Sequence, residues 1–192
     1  MRRKTLDALL TTAGLVVAAV LLIAGSLLAW GHNFTHSEVH SQLAAQQIFF
    51  PAKGSPALAS PEIGPFLNKY AGQQLTTGPQ AKAFADHFIA VHLKEASGGL
   101  TYSQLSAKAQ AAPTDTKLAG EVATAFKGET LRGMLLNAYA FDTMGRLALI
   151  ASIVAFSGAG LMTILAGLGF WHLRRTPKDA LVKATVLTPA AV

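Results

Sequence analysis

A run of twenty-five uncharged residues, Leu147 to Trp171, constrains this chain more than any other feature. As a helix it would be roughly 37 Å long, at about 1.5 Å per residue, which exceeds the ~30 Å hydrocarbon core of a bilayer. A second apolar run, Ala8 to Trp30, lies near the other end of the chain. Both runs are therefore predicted to cross a membrane as helices.

The two apolar runs divide the chain into five segments, and we expect the central one to form a compact helical domain. The predicted fold class is an all-α membrane protein, with two transmembrane helices flanking an extracytoplasmic helical domain. The predicted segments are a cytoplasmic basic tail (1–7), a first transmembrane helix (8–30), the extracytoplasmic domain (31–146), a second transmembrane helix (147–171) and another cytoplasmic basic tail (172–192).

The positive charge of the chain is concentrated in its two tails. The net charge of the chain is +6. The two tails together contain seven basic and two acidic residues, which account for +5 of this charge. The 116 residues between the spans hold nine basic and eight acidic residues, or +1. Positive tails around a near-neutral loop follow the positive-inside rule, so both termini are predicted to be cytoplasmic. Because this rule already accounts for the basic residues of the tails, we expect no nucleic-acid partner.

The first apolar run has a second interpretation, as a cleaved signal peptide. It follows Arg2-Arg3-Lys4, and Ala24-Gly25-Ser26 or Ala29-Trp30-Gly31 fits a small-x-small cleavage site. The run is longer than the ~7–15 apolar residues of such peptides, so we favour a retained anchor. The chain has no cysteine, which excludes disulfides, thiolate metal sites and cysteine nucleophiles.

Capping signals predict a series of helices between the two spans. The first span is expected to continue as helix to about Gln47, and one helix is expected from about Thr130 to Trp171. Gly128 is expected to loosen the chain before that last helix. Candidate N-caps are Ser60, Thr77, Thr101, with Gln104 as its capping-box partner, and Asp115; Gly98-Gly99 is a candidate helix end. No run of alternating apolar and polar residues predicts a strand.

Small residues recur along the second span at a strict four-residue spacing. Such residues allow two helix backbones to approach closely in lipid, where association depends on packing contacts. We predict a helix-packing ridge that contacts the first span, a second copy of the chain or another membrane protein. The ridge consists of Ala151, Ala155, Ala159, Thr163 and Gly167, and its counterpart on the first span is Gly14 and Ala18. The alternative is that small residues are simply common in this alanine-rich chain.

Three histidines, His32, His36 and His40, lie at i, i+4 and i+8 on the helix that leaves the first span. Imidazoles one turn apart can bind one metal ion, as in H-x-x-x-H sites. The first and third are about 12 Å apart along the axis, so a site would take two of them and one further ligand. His87 and His92 are the candidates for that ligand. The alternative is a polar helix face at the membrane surface.

Two stretches, Leu58 to Leu93 (LASPEIGPFLNKYAGQQLTTGPQAKAFADHFIAVHL) and Phe126 to Phe141 (FKGETLRGMLLNAYAF), resemble a group of uncharacterised actinobacterial membrane proteins. The resemblance implies a bacterial plasma membrane, two spans and a helical domain between them. Members sometimes carry an aromatic ring-opening dioxygenase label. Such enzymes hold iron with histidines and a carboxylate, and no motif here matches theirs, so that activity is not carried over.

The sequence offers no motif that names a reaction. It has no P-loop, G-x-S-x-G, G-x-G-x-x-G or H-E-x-x-H, so neither a cofactor nor an enzymatic activity is predicted. The spans hold no ionisable residue, which argues against a transporter or channel. We expect a non-enzymatic membrane interaction or accessory protein. The alternative is an extracytoplasmic metal-binding or metal-sensing module that uses the histidine face.

Overall fold

The computed structural model describes residues 2–177, and this part of the chain is helical without a β-strand. Long helices begin and end it, and short helices lie between them. The helices are α1 (Arg3–Ala45), α2 (Gly64–Leu67), α3 (Gly78–Phe84), α4 (Ala90–Ala96), α5 (Tyr102–Ala111) and α6 (Thr116–Arg175), with 3₁₀ turns at Pro56–Leu58 and Asn68–Tyr70 and a π-helical turn at Ala85–Ile89.

Helices α1 and α6 are long and apolar enough to cross a membrane, as the two apolar runs predict. α1 ends at Ala45, close to the predicted end near Gln47. α6 continues from Thr116 without a break, so the prediction that Gly128 loosens the chain is wrong. A glycine costs an α-helix only about 1 kcal/mol, and the many hydrogen bonds of a sixty-residue helix exceed this cost.

The chain forms two compact units. Among the described residues, the terminal unit contains residues 2–30 and 148–177, and the central unit contains residues 31–147. Helical structure already begins at Arg3 and extends to Arg175, within the segments predicted as basic tails. The rest of the second tail, including Lys178, Asp179 and Lys183, lies outside the described residues.

The core of the central unit is built by short helices that pack on each other and on α1 and α6. Leu67, Leu75 and Leu105 are its largest fully buried side chains. Phe50 contacts Phe84 edge to face, with ring centroids 5.4 Å apart. The main cluster of this core comprises Val39, Leu43, Phe50, Leu58, Ile63, Leu67, Leu75, Ala81, Phe84, Ala85, Ile89, Val91 and Leu135.

The predicted caps position these short helices. Thr77 and Thr101 each accept a hydrogen bond from a backbone N–H, in capping boxes with Gln80 and Gln104. Asp115 Oδ1 accepts a 3.0 Å hydrogen bond from the N–H of Leu118 at the start of α6. Ser60 does not cap a helix directly: its hydroxyl accepts from the N–H of Glu62 within a turn, and α2 begins at Gly64.

Gly78, at the start of α3, provides a test of close packing within the central unit. A Cβ at this position would overlap the buried side chain of Asp142. We expect Gly78→Ala to lower the free energy of unfolding by about 1–3 kcal/mol, the usual cost of overpacking. Gly133→Ala is the matched control, because no atom lies within 4 Å of its added methyl group. There we expect a gain of about 0.5–1 kcal/mol from helix propensity. Thermal unfolding of the detergent-solubilised chain measures both, and equal effects would contradict the packing described.

Candidate functional site

The two helices of the terminal unit contact each other through small residues. A Cβ on Gly14 would lie 4.0 Å from Cβ of Ala166, and one on Gly25 would lie 3.0 Å from the ring of Phe156. The hydroxyl of Ser152 donates a 3.0 Å hydrogen bond to the carbonyl of Gly25. The helix backbones therefore approach closely, and a buried polar bond joins them.

The contact follows a seven-residue repeat instead of the predicted strict four-residue ridge. On α1, Thr11, Ala18 and Gly25 are buried at intervals of seven. Four residues turn an α-helix by about 400°, so a strict four-residue row drifts by about 40° per step and leaves the contact face. Alternating steps of three and four keep that face against the partner helix. The buried positions of α6 within the terminal unit are Ser152, Ala155, Ala159 and Ala166.

Of the predicted helix-packing residues, the structure brings four to this contact. Ala18 and Ala159 are 2% and 1% exposed, Ala155 is buried and Gly14 is half-buried. The other three, Ala151, Thr163 and Gly167, are exposed. These three do not contribute to the pairing of α1 with α6, and their docking of another chain stays a prediction.

The three histidines on α1 have different surroundings. His32 Nδ1 lies 3.0 Å from the carbonyl oxygen of Gly145, so this nitrogen carries the proton and donates it. The rings of His32 and His36 stack with centroids 5.9 Å apart, and His40 is exposed. Within residues 2–177, no three histidine or carboxylate side chains converge where they could hold a metal ion.

Neither histidine considered as the further metal ligand joins this face. His87 stacks parallel to Phe66, with ring centroids 3.5 Å apart. His92 donates through Nδ1 to the carbonyl of Phe88 at 2.7 Å. The structure therefore adds no ligand geometry to the predicted metal site.

The central unit carries an apolar groove of about 860 Å³ between α4 and α6. Its size lies within the range of small-molecule and peptide sites. Gly128 allows the helices to approach here, because a Cβ on it would overlap the side chain of Leu93. The apolar groove is lined by Phe84, Phe88, Ile89, Leu93, Ala96, Gly128 and Leu131, with His92, Glu95, Thr124 and Lys127 as its polar members.

The π-helical turn at Ala85–Ile89 shapes one wall of the apolar groove. The ring of Phe88 stacks on Phe84 at 4.7 Å and contacts His92 at 4.4 Å, whereas Ile89 is buried. The extra residue of a π turn changes the register of a helix locally, and such turns are frequent at functional sites. Phe84 and Phe88 are four residues apart, as on one face of a helix, and nothing in the local sequence signals the turn or the groove.

α6 also exposes apolar side chains beyond the apolar groove. Leu131 lines the groove, whereas Met134 and Phe141 are 63% and 57% exposed, and Phe141 lines a separate cavity between α1 and α6. Met134 and Phe141 are seven residues apart, so they lie within about 20° of each other on the helix surface. Leu135, which follows Met134 in sequence, is buried in the core. The apolar residues of this part of α6 are thus divided between the core and the surface.

Asp86, in the π-helical turn, forms ion pairs with residues of α3 and α6. The Asp86 carboxylate accepts a 2.5 Å hydrogen bond from Lys82 Nζ and lies 3.5 Å from Arg132 Nη2 on α6. Burial raises the pKa of Asp86, but the hydrogen bond and charge of Lys82 and the nearby Arg132 lower it more. The resulting pKa lies below the ordinary aspartate value, so Asp86 is ionised at neutral pH.

No protein-family model matches this chain, and comparisons with known proteins and with solved structures found no match.

The helix contact predicts that enlarging Ala159 disrupts the terminal unit. A leucine side chain there would separate the two backbones, and overpacking of this kind costs about 1–3 kcal/mol. We expect Ala159→Leu to lower the thermal stability of the full chain in mild detergent. Gly160→Leu is the matched control, since no atom lies within 4 Å of a Cβ at Gly160. Leu161→Ile, at an exposed position, should also have little effect. Equal stability of all three variants would show that Ala159 makes no close contact.

Proposed function

We propose that this chain is a non-enzymatic membrane interaction or accessory protein, whose central unit binds an apolar segment of a partner. The observation that carries the proposal is the apolar groove together with Leu131, Met134 and Phe141 on the surface of α6. Burial of apolar surface releases about 25 cal/mol per Å². Exposed apolar surface of this extent therefore favours association with a partner.

The shape of the surface favours a helical segment as the bound element. An amphipathic helix places apolar residues at i, i+3 or i+4 and i+7 into a groove of this kind. The polar members of the groove, His92, Glu95, Thr124 and Lys127, supply hydrogen-bonding and charged groups of both signs. Such groups fix the orientation of a partner, while the apolar residues supply most of the binding free energy.

The distribution of side chains in the terminal unit supports a membrane anchor. Its buried contact residues are small, such as Ala155 and Ala159, whereas Leu161, Ile164 and Ile23 are more than half exposed. In water the large apolar side chains would be the ones buried. In lipid the helices gain nothing by burying them, and small residues at the contact give closer packing.

We propose that both termini are cytoplasmic and that the central unit is extracytoplasmic, in a bacterial plasma membrane. Reporter fusions test this topology. Alkaline phosphatase inserted at Gly54, which lies in an exposed loop, should be active, and a fluorescent protein fused after Val192 should fluoresce. The physical reason is the excess of positive charge in the two tails. Fluorescence from a fusion at Gly54 would reverse the assignment.

The apolar groove can be tested by site-specific photo-cross-linking in native membranes. A photoreactive phenylalanine analogue at Leu131 should give a discrete adduct, because Leu131 lines the groove. The same analogue at Gln110, an exposed residue of α5 outside the groove, is the control.

A groove-filling variant completes the experiment. Ala96→Trp should abolish the adduct at Leu131, because Ala96 also lines the groove. Ala111→Trp adds the same ring to an exposed position on α5 and should leave the adduct unchanged. Absence of an adduct at Leu131, or equal loss in both tryptophan variants, would contradict the proposal.

A further inference from the structure

A second concave surface of the central unit differs from the apolar groove in its chemistry. This cavity of about 380 Å³ is lined by cationic and aromatic side chains and by no carboxylate. We call it the cationic pocket, and its chemically distinctive members are Lys69, Tyr70, Lys82, His87, Tyr139 and Arg146.

Aromatic rings hold the lysines of the cationic pocket in place. Lys69 Nζ lies 4.8 Å from the centroid of the Tyr70 ring, and Lys82 Nζ lies 5.4 Å from that of Tyr139. These distances fall within the range of cation–π attraction. The His87 ring, stacked on Phe66, forms another wall. Residues from a 3₁₀ turn, α3, the π-helical turn and α6 thus converge on one cavity.

Positive charge exceeds negative charge around the cationic pocket. Asp86 is shared by Lys82 and Arg132, and Asp142 lies 3.2 Å from Arg146 Nε. Lys69 makes no ion pair with any residue among 2–177. Glu129 also pairs with Arg132. The carboxylates Asp86, Asp142 and Glu129 therefore stand against four cations, namely Lys69, Lys82, Arg132 and Arg146. One positive charge is therefore left without a carboxylate partner, and it belongs to a lysine that lines the cavity.

We propose that the cationic pocket binds a phosphate group. Arginine and lysine are the side chains that bind phosphate oxygens most strongly, through charge-assisted hydrogen bonds. Tyr70 and Tyr139 also line the cavity, and a tyrosine hydroxyl is a neutral donor of the kind that phosphate oxygens accept. The site is separate from the apolar groove, so it is an additional function and does not depend on the proposed partner.

Two sources can supply such a phosphate, namely a phospholipid headgroup and a soluble phosphate. Arg146 lines the pocket and is followed directly in sequence by Leu147, the first residue of the uncharged run. Basic residues next to a transmembrane helix are a common site of attraction for anionic headgroups. The two sources are separated by the choice of probe in the experiment.

The experiment measures binding of phosphatidylglycerol to the full chain in neutral detergent, by native mass spectrometry. We expect Lys69→Gln to weaken binding about five- to tenfold, the effect of losing one charge-assisted hydrogen bond. Lys69→Arg keeps the charge and should retain binding. Lys108→Gln makes the same charge change at an exposed position outside the pocket and should have no effect. Thermal unfolding of each variant shows that the fold is retained, because Lys69 is exposed and has no ion-pair partner to lose.

Two further probes identify the source of the phosphate. A neutral diacyl glycolipid, which lacks phosphate, should bind weakly and equally to all variants. Competition by inorganic phosphate would assign the pocket to a soluble phosphate, and its failure to compete would assign it to the lipid headgroup. If Lys69→Gln and Lys108→Gln bind phosphatidylglycerol and inorganic phosphate as the unmodified chain does, the proposal is wrong.

Discussion

Close approach of two helix backbones is the constraint on which the terminal unit depends. The approach is possible only where side chains are small, as at Ala18 and Ala159, or absent, as at Gly25. The hydroxyl of Ser152 uses the same proximity to reach the carbonyl of Gly25. A polar bond of this kind contributes most where water is excluded, since its groups would otherwise remain unsatisfied. Packing and hydrogen bonding therefore act at the same positions.

In the central unit, by contrast, large apolar side chains form the buried core. Leu67, Leu75 and Leu105 lie in its core, as expected for a domain that folds by removing apolar surface from water. Other large apolar side chains of the unit are exposed, and Met134 and Phe141 on α6 are among them. Exposed apolar surface is the kind of feature that indicates a binding surface. It is the physical basis for proposing a partner along α6.

The π-helical turn connects both candidate sites of the central unit. Two consecutive residues of this turn line different cavities: His87 lies in the cationic pocket and Phe88 in the apolar groove. Ile89, the next residue, is buried in the core. The turn therefore distributes three neighbouring side chains among two surfaces and the interior. A change in the hydrogen bonding of this turn would alter both surfaces together.

The sequence by itself determined the helical class, the two long apolar helices and most of the helix starts. In lipid, a single uncharged run of this length can satisfy the hydrogen-bonding groups of its own backbone only as a helix. Thr77, Thr101 and Asp115 cap as predicted because capping is a local interaction, within three residues along the chain. The sequence also shows directly that small residues recur along both spans.

Only the tertiary structure decided which small residues meet and where the cavities lie. The seven-residue repeat of the contact was hidden, because alanine and glycine also occur at the four-residue spacing, and only the partner helix selects between the two patterns. The apolar groove and the cationic pocket combine residues up to about eighty positions apart, such as Lys69 and Arg146. Their convergence depends on the packing of α6 against the short helices. Burial and contact of this kind are properties of pairs of elements, and no local pattern within a single helix specifies them.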